Sequence, residues 1–534
     1  MKYFKILSNI QLFSLLIIVG TLSAQIYIPA DPFDLLFIEQ KIMVGGDDPG
    51  SLMIRPVIIP KDQLKDVWSI KVRNETFYNS GIPNLENTSD RWIGKGTSFF
   101  TSANIAYNSD YLFASIEPFY FISQNDDYDE PHRIPKFSHL NDNRPHLETP
   151  YTSAGIRETQ IYLKYKGVGG GFSNANMWWG SGLHSSLMMS NNTTGFGHLM
   201  LGTITEQRYK DWGFNGRHVL SKFGKKSASK PYYSGFIFNA TYYSIPIVTV
   251  GFSRAFLSGG NNTNYDINLL EAALLPFEIV KIEKPDNQSD LLNSVDQTYT
   301  GYINFRFPKS GTVLSLEWGR NQGPENFEDF VITPDHSDAF TIGIRKYGLF
   351  NNINLFTAIE YTNIAHSYFW KIKDTKDWYS NWQFDYYTYD GRHWAAHSGP
   401  DSDDFTFLFG YSNKRLSIIP SFSYERHSLT HSYVLTEEEA NTLVDDKIFG
   451  QYFVNEERTI YRGVSNLAET KIELCCDFRY KYKEFRFSVY YEYEYILNYE
   501  FLDHGDIISR RSGNVIWFGI EKDITSTMLD WIKR

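Results

Sequence analysis

From Glu484 to Tyr495 apolar and polar positions alternate without a break. Phe485, Phe487, Val489, Tyr491, Tyr493 and Tyr495 share one face, and Glu484, Arg486, Ser488, Tyr490, Glu492 and Glu494 share the other. Side chains of a strand point alternately to its two faces, so this segment predicts a strand with one apolar and one polar side. It is longer than most globular strands and reaches the ~9–11 residues that carry a tilted strand across a bilayer. The pattern recurs. Ile353, Leu355, Thr357, Ile359 and Tyr361 oppose Asn354, Phe356, Ala358 and Glu360; Ile303, Phe305 and Phe307 oppose Asn304 and Arg306; Leu314, Leu316 and Trp318 oppose Ser315 and Glu317. One such segment also suits a soluble sandwich, but their number points to a transmembrane β-barrel.

Between the strands lie stretches too polar to cross a membrane: Asn125–Pro150, Ser258–Tyr265, Glu283–Asp296, Gln322–Asp338 and Thr436–Asn455. Long polar loops alternating with short turns predict a porin-like topology with the long loops outside. With about 430 residues in the barrel and about 24 per strand and loop, the strand count is about 18. The N-terminal texture differs. Phe33, Leu35, Leu36 and Ile38 with Glu39, Gln40 and Lys41 predict a short helix ended by Gly45-Gly46, and Leu52–Pro56 reads as a connector.

Composition agrees with this picture. Aromatic residues make up 17% of the chain, yet mean hydropathy stays polar at −0.36. After residue 24 no run of apolar residues is long enough for a helical span. Lys2 and Lys5, the apolar run Leu12–Leu22 and Ser23-Ala24 predict a secretory signal peptide cleaved after Ala24; Gln25 follows, so a lipid anchor is not expected there. Cleavage removes two lysines and no acids, taking the net charge from −11 to −13. Such an acidic chain is a poor nucleic-acid binder. The two cysteines, Cys475 and Cys476, are adjacent, so no disulfide framework is expected.

Candidate chemistry is sparse. His184 and His198 lack a metal-binding His-Glu-x-x-His frame, and Ser185 and Ser190 lack the Gly-x-Ser-x-Gly elbow of a hydrolase. Asp401, Asp403 and Asp404 suit a divalent cation, but a solvated acidic loop explains them as well. Glu317 and Glu360 face the lumen by alternation. They can act as paired glycosidase carboxylates only if the fold brings them together; ion pairing with Arg254, Arg306 or Arg320 is the simpler expectation, since a buried carboxylate needs a partner.

The most distinctive stretch is Asn176–Gly202, NMWWGSGLHSSLMMSNNTTGFGHLMLG. Neither helical nor strand periodicity survives in it, which predicts a built loop. Trp178 and Trp179 beside Ser185, Ser190, Asn191 and Asn192 suit a sugar, with rings for its C–H faces and polar groups for its hydroxyls. Equally, the tryptophans can be packing residues and the glycines relief of crowding. With Gly195-Phe196, Gly251–Arg254, Glu317–Arg320, Pro334, His336-Ser337, Glu360–Asn363, Gly391–His393 and Gly399–Ser402, this motif resembles the Wzi family of capsule-assembly outer-membrane proteins, in its Bacteroidetes-type branch. The resemblance spans roughly residues 30 to 520. It implies an 18-strand barrel with an occluded interior, a small periplasmic helical region before it, and binding of surface polysaccharide at the outer end. Carried onto this chain, it singles out Trp178, Trp179, Gly180, Gly182, Ser185, Asn191, Asn192, Arg254, Glu317, Arg320 and Asp401 as family-core or glycan-binding candidates.

The resulting expectation is all-β: a signal peptide over 1–24, a periplasmic region with short helices over 25–90, and a transmembrane antiparallel β-barrel of about 18 strands over 91–534. The expected function is non-enzymatic. It is that of a monomeric, lectin-like protein of the cell outer membrane that anchors capsular or extracellular polysaccharide, read largely by Thr436–Asn455. Outer-membrane lipid is the other partner, and no cofactor, metal or nucleic acid is expected. A porin or uptake channel and a membrane-bound glycan hydrolase are the alternatives. In the lumen, a charge network is expected from Glu317 with Arg320, or from Glu360 with an arginine of a neighbouring strand.

Overall fold

The computed structural model describes residues 26–524 except 44, 46–47, 61–62, 64–67, 85, 131–132, 134, 145, 264–266, 278–294, 322–336, 366–377, 430–432, 436–451, 456–457, 462–467 and 500–508. The signal-peptide expectation and most of Thr436–Asn455 lie outside the described residues; of the latter only Tyr452–Asn455 is described, as a strand.

Eighteen antiparallel strands close into one barrel. The circuit runs from Trp68–Asn79 in chain order and closes where Arg510–Asp523 pairs back onto it, Val515 opposite Asn79. One strand is interrupted, so that His198–Thr203 and Gln207–Tyr209 both lie along Trp212–Lys222. Closure satisfies every strand's hydrogen-bonding edge, as hydrocarbon requires. The outer wall carries exposed Ile161, Leu163, Leu199, Leu201, Val250, Phe252, Leu314, Leu316, Ile342, Ile344, Phe407 and Phe409. In water so large an apolar belt would be a liability; in a bilayer it is the lipid face.

The predicted registers hold. In Phe485–Leu497, Phe487 and Tyr491 are exposed while Glu492 and Glu494 are buried. In Asn352–Asn363, Ile353 and Ile359 are exposed while Phe356, Ala358 and Glu360 are buried. Short turns close one end of the barrel. Between Asp338–Leu349 and Asn352–Asn363, Phe350 and Asn351 both take positive φ (51° and 60°), the two-residue hairpin whose twist matches its strands. The long loops emerge at the other end. One of them builds a three-stranded sheet from Tyr433–Leu435, Arg458–Tyr461 and Tyr452–Asn455. Another holds a helix the sequence reading missed, Leu269–Leu274, started by the Asn268/Glu271 capping box.

The N-terminal boundary needs correction. Trp68–Asn79, assigned above to the region 25–90, is a barrel strand. The predicted helix is present as Pro32–Met43, but it enters the barrel from the short-turn end. There Gln40 Nε2 donates to Ile353 O and Ser412 O, both at 3.1 Å. Deeper in, Glu39, 0% exposed, receives a two-pronged ion pair from Arg345 at 2.7 and 3.1 Å and a hydrogen bond from Tyr347 Oη at 2.9 Å. A carboxylate this buried is tolerable only with such partners. Leu35, Leu36, Leu52, Met53 and Ile54 join Met177, Trp179, Leu187, Trp378 and Trp394 in one hydrophobic core inside the barrel. Among the described residues no helix is long and apolar enough to cross a membrane.

Candidate functional site

The Asn176–Gly202 stretch follows the strand Val168–Ser173, leaves the wall and folds back into the lumen before His198–Thr203 resumes the barrel. Inside, Trp178–Trp179 pairs with Ile54–Arg55 of the N-terminal segment, and Gly180 N–H donates to Met53 O at 3.0 Å. The segment entering from the short-turn end and the loop entering from the long-loop end therefore share a ladder in mid-barrel. The Arg55 guanidinium lies 4.5 Å over the Trp178 ring and Arg55 Nη2 reaches Gly182 O at 3.4 Å. Both tryptophans are essentially unexposed, so protein covers the rings that the sequence offered to a sugar.

The glycines have steric reasons. Gly180 has φ +121°, and a Cβ there would lie 2.2 Å from Glu317 Oε2; at Gly182 a Cβ would lie 1.9 Å from Ser185 O. The turn they make is centred on Glu360, whose oxygens accept the N–H groups of Leu183, His184 and Ser185 at 2.5, 2.8 and 2.8 Å. Convergent backbone N–H groups form a nest for a negative charge. Asn191 and Asn192 are buried and hold neighbouring loops: Asn191 Nδ2 donates to Asn87 O at 3.2 Å, and Asn192 Nδ2 to His393 O at 2.9 Å. Asp401 is buried near the long-loop end with Lys136 Nζ 3.7 Å away.

The expected lumen network is only partly present. Glu317 and Glu360 point inward, but Arg320, itself 0% exposed, has the strand parity of Leu314, Leu316 and Trp318, that of the outer face. A spacing of three along a strand places residues on opposite sides, which excludes a Glu317–Arg320 lumen pair. Arg254 is likewise on the outer face with Phe252 and Phe256, donating to Gln297 Oε1 at 2.7 Å. Arg306 does face inward, 3.1 Å from Asp48 Oδ2. Arg345, on the strand beside Glu360, is engaged by Glu39. A glycosidase would need both carboxylates beside a sugar-sized cleft. Here Glu317 and Glu360 are 0% and 3% exposed beneath the in-folded loop.

Among the described residues two larger cavities lie inside the barrel. One, of about 110 Å³, extends from Ile26, Asp34 and Lys71 to Ser89, Asn176 and Asn191. The other, of about 160 Å³, extends from Leu36 and Arg479 to Glu86, Asn87 and His184. Asp31 and Arg91 line both. The structure also gathers Glu86, His184, His397, Asp404 and Glu425 into one cluster. Only His184 had drawn attention as a histidine and Asp404 as part of an acidic run. Nothing in the sequence could join positions so far apart. At the long-loop end Trp382 is 61% exposed, in the irregular turn Trp382–Tyr387; Tyr386 of the same turn packs against His139 with ring centroids 5.6 Å apart.

No family model matches the chain, and no curated protein matches it. Among solved structures it is similar to Wzi of Escherichia coli, described as an outer membrane protein involved in group 1 capsule assembly and a carbohydrate-binding β-barrel. The identity is 11% over 91% of this chain and 97% of that one, with a TM-score of 0.56. It also matches the outer membrane protein OprD of Pseudomonas aeruginosa, with 9% identity over 86% of this chain and 94% of that one, at a TM-score of 0.38. Identities this low speak to fold alone. The closed strand circuit and the apolar outer belt, with the fold shared with Wzi, make this chain an outer-membrane β-barrel protein.

Proposed function

We propose that the protein is a non-conducting, lectin-like barrel that holds capsular or extracellular polysaccharide at the cell surface, in the manner of the Wzi family. One observation carries the reading: the lumen is filled from both ends, and the two fillings are joined by the Ile54–Arg55/Trp178–Trp179 ladder. A transport path needs a continuous aqueous lumen. A binding barrel needs only a rigid outer surface, and the buried motif supplies that rigidity. Glycan contacts are then assigned to the external loops, where exposed Trp382 and neighbouring Tyr386 offer rings for stacking among polar groups. With a net charge of −11, neutral or weakly acidic polymers suit it better than highly acidic ones.

The channel reading draws support from two cavities, the smaller one mostly polar, that meet at Asp31 and Arg91. Planar-bilayer recording separates the two readings. The purified full chain should give no stable ion conductance and should retain polysaccharide from the producing cell, with Trp382→Ala weakening retention. Steady single-channel openings without glycan retention would select the channel.

A further inference from the structure

Five side chains from separate parts of the chain converge between the inner wall and the in-folded loops. Glu86 comes from the loop after Trp68–Asn79, His184 from the Asn176–Gly202 stretch, and His397 from the loop after Asn352–Asn363; Asp404 and Glu425 come from the strands Ser402–Ser412 and Leu416–His427. Nε2 of His184 lies 3.6 Å from Asp404 Oδ2 and 3.9 Å from Glu86 Oε2. Nε2 of His397 lies 3.6 Å from the same Asp404 oxygen, 3.7 Å from the same Glu86 oxygen, and 3.3 Å from Glu425 Oε2. Two imidazole nitrogens and two carboxylate oxygens thus bound a common space. Neighbouring donor atoms are 3.3–3.9 Å apart, close to the ~3.3–3.6 Å that tetrahedral zinc bonds of ~2.0–2.2 Å set between ligands.

Two features separate this cluster from a set of ion pairs. Nε2 of His184 and Nδ1 of His397, whose side chain is 0% exposed, are buried without a hydrogen bond. A buried ring nitrogen without a partner is costly. In addition, three carboxylates meet there, and the nearby cation is shared. Lys471 contacts the other oxygen of Glu86 but also Glu473 at 3.0 Å and Glu494 at 3.8 Å. An outer layer orients the cluster: His427 Nε2 lies 2.5 Å from Glu425 Oε1, and its Nδ1 lies 2.9 Å from Glu469, which Arg133 holds at 2.5 Å. Such outer partners orient metal ligands. Glu86 and His184 also line the 160 Å³ cavity, which leaves room beside the cluster.

We propose that Glu86, His184, His397 and Asp404, completed by Glu425, bind one divalent transition-metal ion of the zinc class, and that the ion staples three in-folded loops to the barrel wall. Two imidazoles select against calcium and magnesium, which take oxygen ligands. The inference is independent of the polysaccharide reading, because its readout is metal bound per chain.

The test uses the folded full chain in detergent, stripped with a chelator, verified by heat-modifiable migration, and titrated with Zn²⁺ alone. One Zn²⁺ per chain is expected, with Co²⁺ substitution giving the visible spectrum of a four- or five-coordinate ion. The His184→Gln/His397→Gln double variant should lose stoichiometric binding while still migrating as a barrel. Folded wild-type chain that takes up neither ion, or a double variant with wild-type affinity, overturns the proposal. If the double variant does not fold, X-ray absorption of the Zn²⁺-loaded wild type decides: imidazole nitrogen in the shell upholds the site, and an oxygen-only shell rejects it.

Discussion

Single residues in the lumen carry more than their types suggest. Glu39 and Arg345 form an ion pair with both side chains 1% exposed or less. Removing one partner strands the other, so Glu39→Ala should destabilise the barrel by about 3–5 kcal/mol. Adding Arg345→Met should restore much of that loss, as denaturant unfolding of both variants in detergent will measure. Trp178→Ala and Trp179→Ala should each cost about 3–5 kcal/mol, since each ring leaves a cavity in packed surroundings. Impaired folding is therefore expected before any change in glycan retention. Asp390, buried in the long loop after Asn352–Asn363 where it meets the loops of His146 and Lys226, shows how acid acts at the long-loop end. Burial raises its pKa, but the contacts with His146 (3.4 Å) and Lys226 (2.8 Å) outweigh burial and hold it below the usual range. A depressed carboxyl pKa contributes stability that is present above the unfolded value of about 3.9 and lost as pH falls through the folded one. Protease resistance of the external loops should accordingly fall on acidification below about pH 4, where unfolded Asp titrates. Asp390→Asn should flatten that dependence, and an unchanged acid profile in the variant would discount this carboxyl.

Among the elements, the N-terminal segment differs most from its sequence reading. Its helix was legible, from apolar spacing and the closing glycines, but its location was not. The same apolar stripe can cover a helical bundle or line a barrel core, and periodicity cannot name the partner. Deleting residues 26–60 removes the strand partner of Trp178–Trp179 and the carboxylate held by Arg345, while every wall strand keeps its neighbours. The shortened chain should still migrate as a heat-modifiable barrel but admit ions in bilayer recordings. A silent truncated barrel would mean that the external loops alone seal the lumen.

For the whole molecule, a barrel filled from both ends is a different object from a pore of equal strand number. Its wall obeys the two-residue period that lipid imposes, whereas its interior packs Leu, Met and Trp around isolated polar clusters, as a soluble domain does. Mature protein should fractionate with the outer membrane and require detergent for release; recovery in the soluble periplasmic fraction would contradict the lipid-facing belt.

The sequence by itself determined the barrel, because lipid outside and polar groups inside write a period of two into each crossing strand, and each strand can be read locally. It also placed Glu317 and Glu360 inward, and its parity already set Arg320 outward, opposite to the pairing expected of it. Only the tertiary structure decided what fills the lumen. The pairing of Ile54–Arg55 with Trp178–Trp179, the Glu39–Arg345 ion pair, and the meeting of His184 with His397 join residues separated by one hundred positions or more. Such contacts follow from barrel closure and loop return, which leave no periodic trace in the chain.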